Sequence, residues 1–165
     1  MNKFMLCALP AIFISGAFAE EVPIIGSVEA KCVITTDTAG VYGNPTPPNL
    51  STDPTDGGVT PIVRYDVSMA EYYKALITWP DEFSQSPELN DTVAFDGEVT
   101  VDRVSVATMS DYESSKTEYQ NTTEYELTES GSTWFAIESE ADYGFFKAFP
   151  GGTYRSLVTA ECIAQ

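Results

Sequence analysis

The stretch Val22-Pro23-Ile24-Ile25-Gly26-Ser27-Val28-Glu29-Ala30-Lys31-Cys32-Val33-Ile34 decides how this chain is read. Its even positions are Val22, Ile24, Gly26, Val28, Ala30, Cys32 and Ile34, while Pro23, Ser27, Glu29 and Lys31 stand among the odd ones. Successive side chains of a β-strand point to opposite faces, so a two-residue period of this length predicts an extended segment that buries one face.

Upstream of it lie one early cation, Lys3, an apolar run from Phe4 to Ile14, and the small-residue stretch Ser15-Gly16-Ala17-Phe18-Ala19. The run is about a dozen residues, short of the roughly 20 that cross a bilayer, and Ala17 and Ala19 stand where a signal peptidase requires small side chains. Residues 1–19 are therefore expected to be a secretory signal peptide cleaved before Glu20, with Cys7 discarded, and residues 20–165 a single domain. Cys32 and Cys162 are the cysteines that remain. In an oxidising compartment they are expected to form a disulfide closing a long loop.

The chain has 25 acidic and 8 basic residues and a net charge of −17, which becomes −18 without Lys3. Such a field repels nucleic acid and anionic lipid, so neither is an expected partner; no stretch after residue 19 is long and apolar enough to anchor in a membrane, so no membrane insertion is expected. With 43% hydrophobic and 12% aromatic residues, the composition is that of a folded core.

Downstream, Ile62–Val67 alternates again and reads as a strand. Ser68-Met69-Ala70-Glu71 fits a capping box followed by helically spaced Met69, Tyr72, Tyr73, Leu76 and Ile77, although Tyr73, Ala75, Ile77 and Trp79 also alternate. The reading taken is a short helix running into a strand near Leu76 to Trp79. Val93–Phe95, Glu98–Val106, Thr123–Leu127, Ser132–Glu138, Tyr143–Phe149 and Thr153–Ile163 read as strands, with a parity change at Asp102-Arg103 that predicts a β-bulge. Asp111–Tyr119 reads as a short helix or helical turn. Gly40–Gly58, rich in proline and glycine, reads as a long irregular loop. About eight short strands at regular spacing predict a mostly β, antiparallel, immunoglobulin-like sandwich with one or two short helices.

Chemistry is sparse. The chain has no histidine, which removes the commonest general base and zinc ligand, and oxidised cysteines are no nucleophiles. No catalytic residue, metal ligand or cofactor is assigned, although 25 acids leave a two-carboxylate hydrolase arithmetically open. Asp53-Pro54-Thr55-Asp56-Gly57-Gly58 has the composition of a calcium loop without the ligand spacing of an EF-hand. Asn49-Leu50-Ser51, Asn90-Asp91-Thr92 and Asn121-Thr122-Thr123 match the glycosylation sequon. Tyr72, Tyr73, Trp79, Tyr112, Tyr119, Tyr125, Trp134, Phe145 and Phe146 are candidates for stacking on sugars or for core packing.

Pro150-Gly151-Gly152-Thr153-Tyr154-Arg155-Ser156-Leu157-Val158-Thr159-Ala160 resembles the penultimate strand of many immunoglobulin-like modules, in which a turn glycine precedes a tyrosine and alternating apolar residues. The sequence ends soon afterwards, at Gln165. In this respect it is similar to the subunits of chaperone-usher pili, whose incomplete sandwich is completed by the amino-terminal strand of a neighbour. The segment Val22, Ile24, Gly26 and Val28 is similar to such a donor strand, and is equally open to reading as the first strand of a self-contained sandwich. The resemblance implies an exported structural or adhesive subunit of a bacterial surface fibre or matrix that self-associates or joins sibling subunits. The alternative is a secreted carbohydrate- or calcium-binding module. In both cases the expected location is the periplasm or the extracellular surface, and no enzymatic activity is expected.

Overall fold

A computed structural model describes residues 23–26 and 31–165. Its strands are β1 (Cys32–Thr38), β2 (Gly43–Thr46), β3 (Asn49–Ser51), β4 (Ile62–Val67), β5 (Tyr73–Thr78), β6 (Ala94–Val104), β7 (Thr117–Tyr119), β8 (Thr122–Leu127), β9 (Gly131–Asp142) and β10 (Thr159–Ala164). One short helix, α1 (Tyr112–Ser115), and 3-10 turns at Pro54–Asp56 and Ala107–Asp111 complete the elements. The strands form two antiparallel sheets, giving the disulfide-linked β-sandwich that the strand spacing predicts.

The larger sheet is organised by β9. Along one flank β9 pairs with β6 from Ala94↔Asp142 to Val104↔Thr133. Along the other it is shared end to end: β4 takes the first half (Val67↔Gly131 to Ile62↔Ala136) and β3 the second (Ser51↔Glu140 to Asn49↔Asp142). β1 extends the sheet beyond β4, and β2 extends it beyond β3. The smaller sheet runs β10-β5-β8-β7. The expected bulge falls at Asp102, where pairing jumps from Val101↔Phe135 to Arg103↔Trp134.

The inward faces meet around Tyr65, Tyr125 and Phe135, all with no exposed surface. Phe135 lies edge-on to Tyr65 at 5.4 Å between ring centroids and tilted against Tyr125 at 4.5 Å. Each tyrosine carries its hydroxyl across the interior. Tyr65 of the larger sheet donates to the Glu161 carbonyl of β10 at 3.0 Å, and Tyr125 of the smaller sheet donates to the Val99 carbonyl of β6 at 2.9 Å. Burial is the main cause that raises both phenols above their ordinary pKa.

Several sequence expectations are corrected. Ser68–Glu71 is a tight turn rather than a helix start, with Glu71 in the left-handed region (φ 58), and the alternation of Tyr73, Ala75 and Ile77 prevails because β5 is held between β10 and β8. Tyr143–Phe149 is a loop, since β9 ends at Asp142 and among the described residues no strand pairs with it. Gly40–Gly58 is ordered and includes β2, β3 and the Pro54–Asp56 turn. The last strand begins only at Thr159, because its partner β5 ends at Thr78 and is followed two residues later by Pro80, which has no N–H. β1 begins at Cys32. Pro23–Gly26 forms no strand, and Val22 and Val28 lie outside the described residues.

On the outer face of the larger sheet, Arg64 and Arg103 flank Trp134 with guanidinium carbons 5.8 and 4.4 Å from the ring centroid, and Trp134 Nε1 donates to Asp37 at 3.1 Å. Arg64 Nε donates to Asp66 at 2.9 Å, and the Ser132 hydroxyl donates to the same carboxylate. Desolvation alone would raise the Asp66 pKa, but the hydrogen bonds from Ser132 and Arg64 outweigh it and hold the value below the ordinary range.

A depressed folded-state pKa contributes stability that is complete above the unfolded value and lost as pH falls through the folded one. Asp66→Asn is therefore expected to flatten the loss of stability below about pH 4, read as the acid limb of denaturant midpoints against pH. An unchanged limb would refute the assignment. Cys32 and Cys162 are bonded at a sequence separation of 130 and tie the edge strand of one sheet to the edge strand of the other. Replacing both by alanine is expected to lower unfolding free energy by up to about 4–5 kcal/mol in guanidinium titrations.

Candidate functional site

The two lateral openings of the sandwich are treated differently. On the β6 side, α1 and the residue after it supply side chains that satisfy the strand edge: the Val101 N–H donates to Glu113 Oε2 at 2.8 Å, and Lys116 Nζ donates to the Val99 carbonyl at 3.3 Å. Lys116 also pairs with Glu113, Glu118 and Glu98 at 2.8, 2.9 and 3.3 Å. Its partial burial works against the charge, yet the hydrogen bonds to Glu113 and Glu118 prevail and raise its pKa. These side chains occupy the middle of the β6 edge, where another strand would otherwise find the Val101 N–H and the Val99 carbonyl.

The opposite opening, between β1 and the segment leading into β10, is closed at one end by the disulfide and open beyond it. There a groove of about 800 Å³ runs between Thr36 and Thr38 of β1 and the segment 149–158, with core residues Leu50 and Val63 at its base and Pro61, Phe149, Leu157 and Val158 among its walls. The segment Tyr154–Val158 keeps a strand-like alternation, with Tyr154, Ser156 and Val158 half-buried and Arg155 and Leu157 exposed. Among the described residues it is paired through its backbone only at Arg155, which exchanges two hydrogen bonds with Gln85. Ser156 Oγ is buried in this wall without a hydrogen-bond partner. Such an orphaned hydroxyl is destabilising by about 1–3 kcal/mol.

Of the residues read as a donor strand, Ile24 and Gly26 lie within the described residues and do not line this groove. Ile24 is 98% and Ile25 91% exposed, and a β-carbon built on Gly26 would touch nothing. Cys32, by contrast, is placed in β1 as expected. An end wall of the groove is aromatic: Phe83 touches Tyr42, Phe95, Phe149 and Tyr154 with centroid distances of 4.8–6.2 Å, and Phe149 stacks on Tyr143 at 5.2 Å. None of these aromatics was a sequence candidate. Their only signal was an aromatic after each turn residue cluster, which does not reveal that the turns converge.

A second, smaller cleft of about 440 Å³ is lined by Asp53, Asp56, Asp96, Glu98, Glu118, Glu138 and Glu140, together with Trp79. Trp79 reaches β6 only because Gly97 has no side chain; a β-carbon there would lie 2.8 Å from the indole. Asp96 is directly opposite Glu140, and Glu98 directly opposite Glu138, so the β6–β9 ladder carries two like-charge pairs. Such pairs weaken a sheet. Among the described residues no three carboxylates gather closely enough to hold a metal ion. The Asp53–Gly58 run is a capped turn, in which Asp53 Oδ1 accepts from the Thr55 N–H and hydroxyl and Gly57 takes the left-handed conformation (φ 80).

Of the sugar-stacking candidates, Tyr73, Tyr112 and Tyr125 are core residues, while Trp79 and Trp134 are half-buried. Tyr72, Tyr119, Phe145 and Phe146 are exposed, and of these Phe145 and Phe146 touch each other. Of the sequons, the Asn49 and Asn121 side-chain amides donate to Glu140 and to the Trp79 carbonyl, leaving Asn90 on an exposed loop. Among the described residues no helix is long and apolar enough to cross a membrane. Compared with known proteins, the chain matches no family model, no curated protein and no solved structure.

Glu113→Ala removes the acceptor for the Val101 N–H and is expected to cost about 1–3 kcal/mol in chemical denaturation, with Glu113→Gln losing less because its carbonyl still accepts. Equal losses in the two variants would show that charge alone is at work.

Proposed function

We propose that this chain is an exported structural or adhesive subunit of a bacterial surface fibre or matrix, completed by the amino-terminal segment of a sibling copy. The observation that carries the reading is the pairing of an unfilled need with an unused strand. Among the described residues, the seam between β1 and Tyr154–Val158 has an apolar base, unpaired backbone and the orphaned Ser156 hydroxyl, while Ile24 and Ile25 are left in water. An extended peptide of two-residue period inserted in the seam supplies backbone partners to one wall and apolar side chains to the base. The pilin-like patterns of Val22–Val28 and Pro150–Ala160 agree with it, while the signal-like leader and the disulfide, a bond that persists in exported proteins, agree with export alone. The reading requires no catalytic residue, metal or cofactor.

The test uses the chain beginning at Glu20. It is expected to form multimers that survive detergent without boiling and appear as filaments by electron microscopy. Deleting Glu20–Ser27, or making Ile24→Asp with Ile25→Asp, is expected to leave monomers. A strictly monomeric parent chain, or a deletion variant that assembles normally, would sink the proposal.

The acidic cleft with Trp79 favours a second reading, a carbohydrate- or calcium-binding module. Calorimetry with calcium and with a glycan panel decides it, and heat in neither titration removes it.

A further inference from the structure

Phe145 and Phe146 are 84% and 95% exposed, adjacent in sequence, and in contact with each other at 4.1 Å between ring centroids. Phe146 is held at φ 61, a left-handed conformation rare for an aromatic residue. Two bare phenylalanines at the tip of a loop form an apolar knob, and the topology fixes where that knob lies. β9 starts at Gly131, level with Val67, and ends at Asp142, level with Asn49. The Tyr143–Phe149 loop comes next, at that far end, roughly 36 Å from the near end at about 3.3 Å per residue.

The near end is where the amino-terminal segment leaves. Lys31 exchanges hydrogen bonds with Ser68, and Gln165 donates its N–H to the Tyr72 carbonyl, so Lys31, the 68–72 turn and Gln165 share one pole. That pole displays its own apolar surface, Met69 at 38% and Tyr72 at 40% exposure. The groove opens toward the other pole, since its wall residue Phe149 donates its N–H to the Pro47 carbonyl beside β3.

We propose that Phe145 and Phe146 of one copy pack on Met69 and Tyr72 of the next, a body-to-body contact that supports head-to-tail assembly. The inference rests on the strand-donation reading. A segment that emerges beside Met69 and Tyr72 and enters a groove opening beside Phe145 and Phe146 brings these two patches face to face. Two different patches of one chain make a heterologous contact, which propagates into an open filament instead of closing as a symmetric pair. Each pole carries charge of both signs, Lys31 and Glu71 at one and Asp142 and Lys147 at the other, so the case for the pairing is geometric.

The experiment is sedimentation velocity and electron microscopy on the chain beginning at Glu20, with thermal unfolding as the check on folding. Phe145→Ser with Phe146→Ser is expected to keep the parent's melting temperature and to need at least tenfold more protein to form multimers. Met69→Ser with Tyr72→Ser is expected to do the same. An equimolar mixture of the two variants has one intact pole of each kind, so it is expected to give two-copy species that extend no further. Parent-like assembly by the phenylalanine variant overturns the contact, as does a symmetric pair insensitive to Met69 and Tyr72. So does a monomer whose phenylalanines instead drive flotation with phosphatidylcholine vesicles. If deletion of Glu20–Ser27 abolishes assembly and the phenylalanine variant does not, strand donation stands without this contact; the opposite pattern keeps the contact and removes strand donation.

Discussion

The contact on which the rest of this structure depends is the aromatic junction of Tyr65, Phe135 and Tyr125 between the two sheets. It does two kinds of work at once. The rings remove a large apolar area from water, and the phenol oxygens, which would be costly to bury bare, each reach a carbonyl on the opposite sheet. Because one hydroxyl crosses in each direction, toward β10 and toward β6, the junction fixes the relative placement of both outer strands as well as the spacing of the layers. A sandwich of two smooth aliphatic faces would leave that placement to shape alone. Here it is set by directional bonds, and the edges of the molecule inherit their positions from its centre.

The behaviour of each edge is set by how it is finished. β6, aligned by Tyr125, is closed by Glu113 and Lys116, with an acceptor for one backbone donor and a donor for one backbone acceptor. β10, aligned by Tyr65, is fastened to β1 by the disulfide, but only over the part of the seam near Cys162. Past that point the chain from Phe149 to Val158 covers the core loosely, without a strand beside it, and the groove results. The asymmetry between a sealed flank and a half-open one is the physical ground for reading the molecule as a component that associates through one side. Its large negative charge fits the same picture, because it discourages contacts other than those with apolar area to offset the repulsion.

The sequence announced much of the architecture. Ile62–Val67 is a strand with the predicted bounds, the bulge falls at Asp102, and Cys32 and Cys162 are bonded, because alternation, parity and compartment are local signals that tertiary contacts reinforced. The failures share a cause. Ser68–Glu71 satisfied a capping pattern, yet the turn lies between two strands already claimed by neighbours, and the helical set would have left Ala75 without the core it fills. Tyr143–Phe149 and Thr153–Val158 alternate like strands but have no ladder to join, and pairing is a property of the neighbour and not of the segment. The groove was not legible: Leu50, Val63, Phe83 and Phe149, which shape the site, come from four separate parts of the chain and carry no joint signal.

The position of the disulfide has a mechanical consequence. A pull applied to the polypeptide ahead of Cys32 and beyond Cys162 passes through the sulfur–sulfur link, so the long stretch between the two cysteines is not in series with the load. The hydrogen-bonded ladders are spared, and the tether can lengthen only by straightening the few residues outside the covalent ring. Shear would have to rupture a bond, not unzip a sheet, before the domain lost its shape.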